Sequence, residues 1–370
     1  MKIVAAIDSF KGSASSKELN TAFFKNITNT TIEKVNFPIA DGGEGTMEAI
    51  HSSLGGIYHQ AKVQDPLGKL RKINFLVVDI DGVPTAVVES AEVIGIHLVS
   101  QNNETLRQSS TYGLGKLLSI LIDKGIKHIY VTLGGSGTSD GGLGLLAGLG
   151  AEMNFEWGSN PLITAKEVNL TPALSKVKNI KISTLVDVDN PYCGERGFSR
   201  VFGPQKGGDM NTLDEFDKKA HDLSVLFKQK SSIDLSILSG AGAAGGLGGA
   251  LALLGAELVP GFATISQLIG FEKTILDADL VITGEGKIDG QTGGGKVPLG
   301  VAQAAKKIGL PVIAICGSRT PEIGALEELT LGIFSIQQGP ISLEEAINKK
   351  RTLNNVSILG RSLLEIWCRY

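Results

Sequence analysis

The sequence predicts a two-domain α/β protein: a Rossmann-like parallel-sheet domain with a second α/β domain inserted into it. Three observations carry this expectation. Short apolar runs repeatedly end in glycine-rich loops and are followed by helical patterns, the signature of parallel βαβ units. Residues 58–99 break that alternation with consecutive strands around an Asp81-Gly82 hairpin signal. The 370 residues also exceed what one hydrophobic core usually organises.

The first apolar run is Ile3-Val4-Ala5-Ala6-Ile7. It enters Asp8-Ser9-Phe10-Lys11-Gly12, after which Ser15-Ser16-Lys17-Glu18 reads as a capping box. Lys34-Val35-Asn36-Phe37-Pro38 follows, then Asp41-Gly42-Gly43-Glu44-Gly45 and a helix from about Thr46. The hairpin pairs Leu76-Val77-Val78 with Ala86-Val87-Val88. Further strands are expected at 129–133, 180–186, 280–282, 312–315 and 331–336, and residues 343–369 read as a C-terminal helix. The outer domain is expected over 1–60 and 280–370, and the inserted one over 61–279. A cut near residue 150 is the other partition. Ligands of such sheets sit beyond the carboxyl ends of the strands, where these polar loops lie.

Composition narrows the function. There are 35 Lys and Arg against 38 Asp and Glu, giving a net charge of −3, which argues against a nucleic-acid partner. The three cysteines, Cys193, Cys316 and Cys368, show neither CxxC nor Cys/His spacing, so neither a zinc site nor a disulfide framework is expected. The longest uncharged run, residues 235–256, is rich in glycine and poor in hydropathy for a membrane span. The N-terminus enters an apolar strand without a signal-peptide pattern, so the expected location is cytoplasmic. The 48 glycines, about 13% where roughly 7% is usual, point to backbone loops shaped around a ligand.

Five loops could carry chemistry. Asp8-Ser9-Phe10-Lys11-Gly12 places a carboxylate, a hydroxyl and an ammonium between a strand and a helix, where anions are attracted; a surface turn with a solvated lysine is the alternative. Asp41-Gly42-Gly43-Glu44-Gly45 permits close backbone approach between two carboxylates, unless Asp41 only caps the next helix. The loop from Gly134 through Gly135, Ser136, Gly137, Thr138 and Ser139 to Asp140 offers backbone N–H groups and hydroxyls suited to phosphate. Its Asp140-Gly141-Gly142-Leu143-Gly144 echoes the Asp41 loop. Asp187-Val188-Asp189-Asn190-Pro191 suits Mg²⁺ or the orientation of an attacking hydroxyl, or is a turn. Gly284-Glu285-Gly286-Lys287-Ile288-Asp289-Gly290 leads to Gln291-Thr292 and Lys296. The last seven residues of that segment fit G-x-x-x-x-G-K, but Val297 stands where a P-loop needs Ser or Thr. A further lysine, Lys206, sits in the tight turn Phe202-Gly203-Pro204-Gln205-Lys206-Gly207. Gly240-Ala241-Gly242-Ala243-Ala244-Gly245 matches G-x-G-x-x-G without the acid that a dinucleotide site requires, so a close-packed glycine-alanine helix is the better account.

Taken together, these loops resemble the type I glycerate kinase family. The match also includes Asp65-Pro66-Leu67-Gly68 and Glu89-Ser90-Ala91, and it runs in family order from residue 8 to about 301. The chain departs mildly at Ser136-Gly137-Thr138-Ser139-Asp140, often Ser-Ala-Thr-Asn-Asp in the family, and at Tyr192, often Leu. The resemblance implies ATP-dependent, Mg²⁺-assisted phosphorylation of D-glycerate to 2-phosphoglycerate in a cleft between two α/β domains. Another small hydroxy acid, or the 3-hydroxyl, is the alternative. No membrane partner is expected, and the oligomeric expectation is a monomer or homodimer. Chemistry then distributes the roles. Lys11 holds the substrate carboxylate, with Asp8, Ser9, Asp41, Gly42, Gly43 and Glu44 around the substrate. Asp189 or Asp187 orients the hydroxyl. Gly134, Gly135, Ser136, Gly284, Gln291, Thr292 and Lys296 cradle ATP. Asp140, Glu285 and Asp289 are the candidates to hold Mg²⁺, alongside Asp187.

Overall fold

A computed structural model of the chain describes residues 1–290 and 296–368. Among them the strands are β1 (Lys2–Ile7), β2 (Glu33–Asn36), β3 (Ile57–Gln64), β4 (Leu70–Ile80), β5 (Val83–Glu89), β6 (His128–Thr132), β7 (Lys181–Val186), β8 (Glu257–Pro260), β9 (Leu280–Ile288), β10 (Val312–Arg319) and β11 (Gly332–Ser335). The chain divides into two compact units. One comprises Met1–Gly55 and Pro260–Tyr370, and the other Gly56–Val259.

The first unit is built on an all-parallel sheet in the order β11-β10-β9-β1-β2. Counted within the unit this is the doubly wound order 2-1-3-4-5, whose direction reverses between β1 and β9. The register sets Ile3 beside Leu280 and Ile7 beside Gly284. These strands are continuous apolar runs because both faces are covered. On one face Ile3, Ile7, Leu280, Ile282, Ile313 and Ile315 pack with Leu19, Phe23, Val356 and Leu364 of two helices. The first of these helices, Ser16–Phe24, opens with the expected Ser15/Glu18 capping box. The second differs from expectation. Residues 343–369 do not form one helix, because Asn348 ends a short turn, Leu343–Ala346, and caps a new helix, Lys349–Trp367, by accepting from Arg351 N.

The second unit carries the sheet β3-β4-β5-β6-β7-β8. Strands β3, β4 and β5 pair antiparallel, whereas β5, β6 and β7 pair parallel. The Asp81-Gly82 turn has both residues at positive φ, 53° and 80°, which matches its right-handed hairpin strands. After Glu89 the consecutive strands stop and a helix, Ser90–Ile94, begins. The glycine-alanine stretch is a packing element: its helix, Ala243–Leu253, begins with left-handed residues Ala244, Gly245 and Gly246. A Cβ on Gly245 would lie 2.1 Å from Thr138 O. No described helix is long and apolar enough to cross a membrane.

Candidate active site

In the first unit a cavity of about 350 Å³ opens at the carboxyl ends of β1, β9 and β10. That is beside the point where the winding reverses, the position at which open α/β sheets bind ligands. Asp8 follows directly from β1 and donates its backbone N–H to Gly284 O at 2.9 Å, so the β1–β9 register sets it next to Glu285. A tight turn, with Phe10 N bonded to Ala14 O at 2.9 Å, carries Lys11 at its tip. Asp41 arrives along the chain beyond β2, which is tied back by Phe37 N to Ala5 O and by Ile39 N to Ser16 Oγ. Lys296 precedes the helix Val297–Lys307 and donates to Glu285 at 3.2 Å.

Asp8, Ser9, Lys11, Asp41, Glu285 and Lys296 all line this cavity. Burial raises the Asp8 carboxyl well above its ordinary range, and the negative charges of Asp41 and Glu285 add to it against Lys11 and the Ser9 N–H. Burial pulls Lys11 down, but the fields of Asp41, Asp8, Glu44 and Glu285 outweigh it and raise its pKa. The cavity is therefore a place where carboxylates are crowded and an ammonium is held charged. Two polar atoms at its wall, Ser9 Oγ and Gln337 Oε1, are buried with no hydrogen-bond partner among the described residues. One side is apolar, formed by Phe10, Leu343, Ala346 and Ile347. Gln337 and this apolar side carry no motif in the sequence and are recognised only through the fold.

The remaining expected residues lie elsewhere. Gly42 and Gly43 are buried in the loop after Asp41, while Glu44 is exposed. Gly284 is an interior strand residue whose carbonyl takes the Asp8 N–H. Asp289 pairs with Lys287 at 3.0 Å and does not line the cavity. Gln291 and Thr292 lie outside the described residues. Gly134, Gly135, Ser136, Asp140, Asp187 and Asp189 belong to the second unit. There Gly134 and Gly135 follow the carboxyl end of β6, held by Ile96 N to Gly135 O at 2.8 Å and Gly137 N to Ile94 O at 2.7 Å.

Two expectations change. Asp140 is fully buried, and its oxygens accept from Gly142 N, Gly144 N, Thr111 N, Thr111 Oγ1 and Ser110 Oγ. With these donors in place and no exposure to solvent it acts as an internal loop anchor. Asp189 is exposed and paired with Arg196 at 2.6 Å, and that bond holds its carboxyl below the usual range. A carboxylate so stabilised is a weaker proton acceptor than Asp8. Asp187 is exposed on the same loop. Among the described residues no cluster of three or more His, Cys, Asp or Glu side chains forms a metal cage.

The profile of the glycerate kinase family matches residues 3–367. A glycerate kinase of Halalkalibacterium halodurans is 36% identical over 376 residues, covering 99% of this chain and 98% of that protein. A glycerate 2-kinase of Escherichia coli K12 is 37% identical over 357 residues, covering 94% and 93%. A crystal structure from Salmonella typhimurium LT2, provisionally described as glycerate kinase 2, superposes with a TM-score of 0.81 at 34% identity and full coverage of both chains.

Proposed function

Because this chain belongs to the glycerate kinase family and is therefore a phosphotransferase, we propose that it transfers the γ-phosphoryl group of ATP to the 2-hydroxyl of D-glycerate with Mg²⁺. The observation that supports this reading most directly is the cavity at the β1/β9 reversal, where Lys11, Asp8, Asp41, Glu285 and Lys296 meet. Glycerate is a small anion with two hydroxyls, and phosphoryl transfer asks a protein mainly for positioning and charge neutralisation. Lys11 holds the substrate carboxylate. Asp8, the carboxyl that burial makes most ready to take a proton, orients the reacting hydroxyl. The hydroxyl oxygen bonds to the γ-phosphorus as the bond to the ADP oxygen breaks, and the hydroxyl proton passes to Asp8. Ser9 Oγ, buried without a partner among the described residues, donates to the substrate.

For the nucleotide phosphates the candidates are Gly134, Gly135 and Ser136 within the second unit, and Lys296 within the first. The donor set fits Mg²⁺, a hard cation usually held by one or two carboxylates together with substrate phosphates. Asp41 and Glu285 are hard oxygen donors whose charges already crowd Asp8. These two carboxylates would hold the ion, which would neutralise charge on the phosphates. Asp187 and Asp189 remain the alternative carboxylates for orienting the hydroxyl.

Phosphorus NMR of a reaction of ATP, Mg²⁺ and D-glycerate tests the reading. The expected product is 2-phosphoglycerate. A 3-phosphoglycerate signal overturns the regiochemistry, and no glycerate-dependent ADP release overturns the assignment of substrate.

A further inference from the structure

We propose that Lys206 is a positioning residue that turns the Ser136 hydroxyl outward, to donate to an anionic phosphate oxygen at residues 134–136. The proposal rests on the phosphotransferase reading above and gives Lys206 a role that its turn motif alone does not assign.

Lys206 ends the short 3₁₀ turn Pro204–Lys206 and is 4% exposed. Its ammonium has three N–H donors. The acceptors it meets are Ser136 Oγ at 3.0 Å and Thr138 O at 2.5 Å, both uncharged. No carboxylate is hydrogen-bonded to it among the described residues. Asp140 is the charged group whose field reaches it, and that carboxylate is committed to its own donors. Arg200 on the preceding helix is paired with Asp214 and Asp217. An ammonium buried without an ion pair is unfavourable, and burial lowers this one to about 7. A buried group perturbed this strongly, beside a glycine-rich loop, is a functional-site candidate.

Hydrogen-bond direction then fixes the role. While the ammonium donates to Ser136 Oγ, the hydroxyl's own hydrogen must point elsewhere. The neighbouring Gly135 is exposed, so an acceptor can approach from that side. The loop cannot rotate away, because backbone bonds to Ile94 and Ile96 hold the residues on both sides of Ser136. Once Lys206 loses its proton, its lone pair can accept the serine hydrogen and the outward donor is lost. Thr138 Oγ1 and Ser139 Oγ, on the same loop, are buried without partners among the described residues. Binding of a phosphate oxygen should therefore be coupled to proton uptake by Lys206.

Calorimetric titration at pH 7.5, in two buffers of different ionisation enthalpy, tests this with ADP and separately with 2-phosphoglycerate. The expected result is uptake of up to about one proton per site for the ligand whose phosphate occupies the loop, which also identifies that ligand. Ser136→Ala and Lys206→Met should both abolish the uptake. Lys206→Arg should bind with no pH dependence across neutrality. If Lys206→Met fails to fold, Ser136→Ala carries the test. Proton uptake absent in the wild type with both ligands, or unchanged in Ser136→Ala, overturns the proposal. The kinase reading fails separately, only if the wild type shows no glycerate-dependent ADP release.

Discussion

Two loops of this chain share a sequence and differ in what their aspartates do. Asp41-Gly42-Gly43-Glu44-Gly45 and Asp140-Gly141-Gly142-Leu143-Gly144 each make the same local turn. Asp41 Oδ1 accepts from Gly43 N at 2.9 Å, and Asp140 Oδ1 accepts from Gly142 N at 3.0 Å. Each turn uses left-handed glycines, Gly42 at φ 93° and Gly141 at φ 65°, and each leads into a helix through a left-handed glycine cap. Beyond the turn they diverge. Asp140 takes four more donors on its second oxygen and is sealed from solvent. Asp41 lines a cavity beside Asp8 and Lys11. A buried carboxylate with its donors satisfied builds a loop; one facing other carboxylates across a cavity is available to a ligand.

The contrast can be broken at its functional end first. Asp8→Asn should lower kcat by about 10²–10⁴-fold, the range for removing a general base, with little change in thermal stability. Asp189→Asn should leave kcat within a few-fold. If the two variants exchange these effects, the hydroxyl is oriented from the β7 loop instead. Next in size, Asp140→Ala should lower unfolding free energy by about 4 kcal/mol, because several buried N–H and O–H groups lose their acceptor together. Denaturant unfolding measures it, and a change below about 1 kcal/mol would show that water or neighbours replace the carboxylate. Lys11→Ala should raise the glycerate KM by about 10–100-fold, in keeping with one charged hydrogen bond, and an unchanged KM would separate Lys11 from the substrate. A smaller effect concerns pH. The folded Asp8 pKa lies above its ordinary 3.8, so the stability Asp8 contributes is full below that value and is lost as pH rises through the raised one. The wild type should therefore lose more stability than Asp8→Asn as pH rises above the ordinary carboxyl value, as read from denaturant midpoints.

The sequence makes the α/β alternation, the hairpin and the Ser15/Glu18 cap legible because each is written in neighbouring residues. It also makes legible the grouping of Asp8, Lys11, Asp41 and Glu285, since strand ends in a parallel sheet gather at one edge. What it hides is long-range satisfaction. Asp140 is sealed by Ser110 and Thr111, some thirty positions away, and nothing in its own loop announces them. Asp189 is neutralised by Arg196, whose relevance depends on how a surface loop folds back. Lys206 stands in a tight turn that the sequence does single out, but only the packing shows its ammonium buried against Ser136.

The finest test of the contrast lies at Tyr192, where the family often has leucine. Its ring is buried and its hydroxyl donates to Gly141 O at 2.7 Å, so it props the satisfied loop from beneath. Burial and the nearby Asp140 raise its pKa well above the ordinary value, which keeps the phenol protonated and donating at every working pH. Tyr192→Phe keeps the ring and removes one neutral hydrogen bond, so the expected loss is about 1 kcal/mol of stability with kcat and both KM values unchanged. A larger kinetic than thermodynamic effect would mean that the Asp140 loop takes part in turnover, and the distinction drawn between the two aspartate loops would then fail.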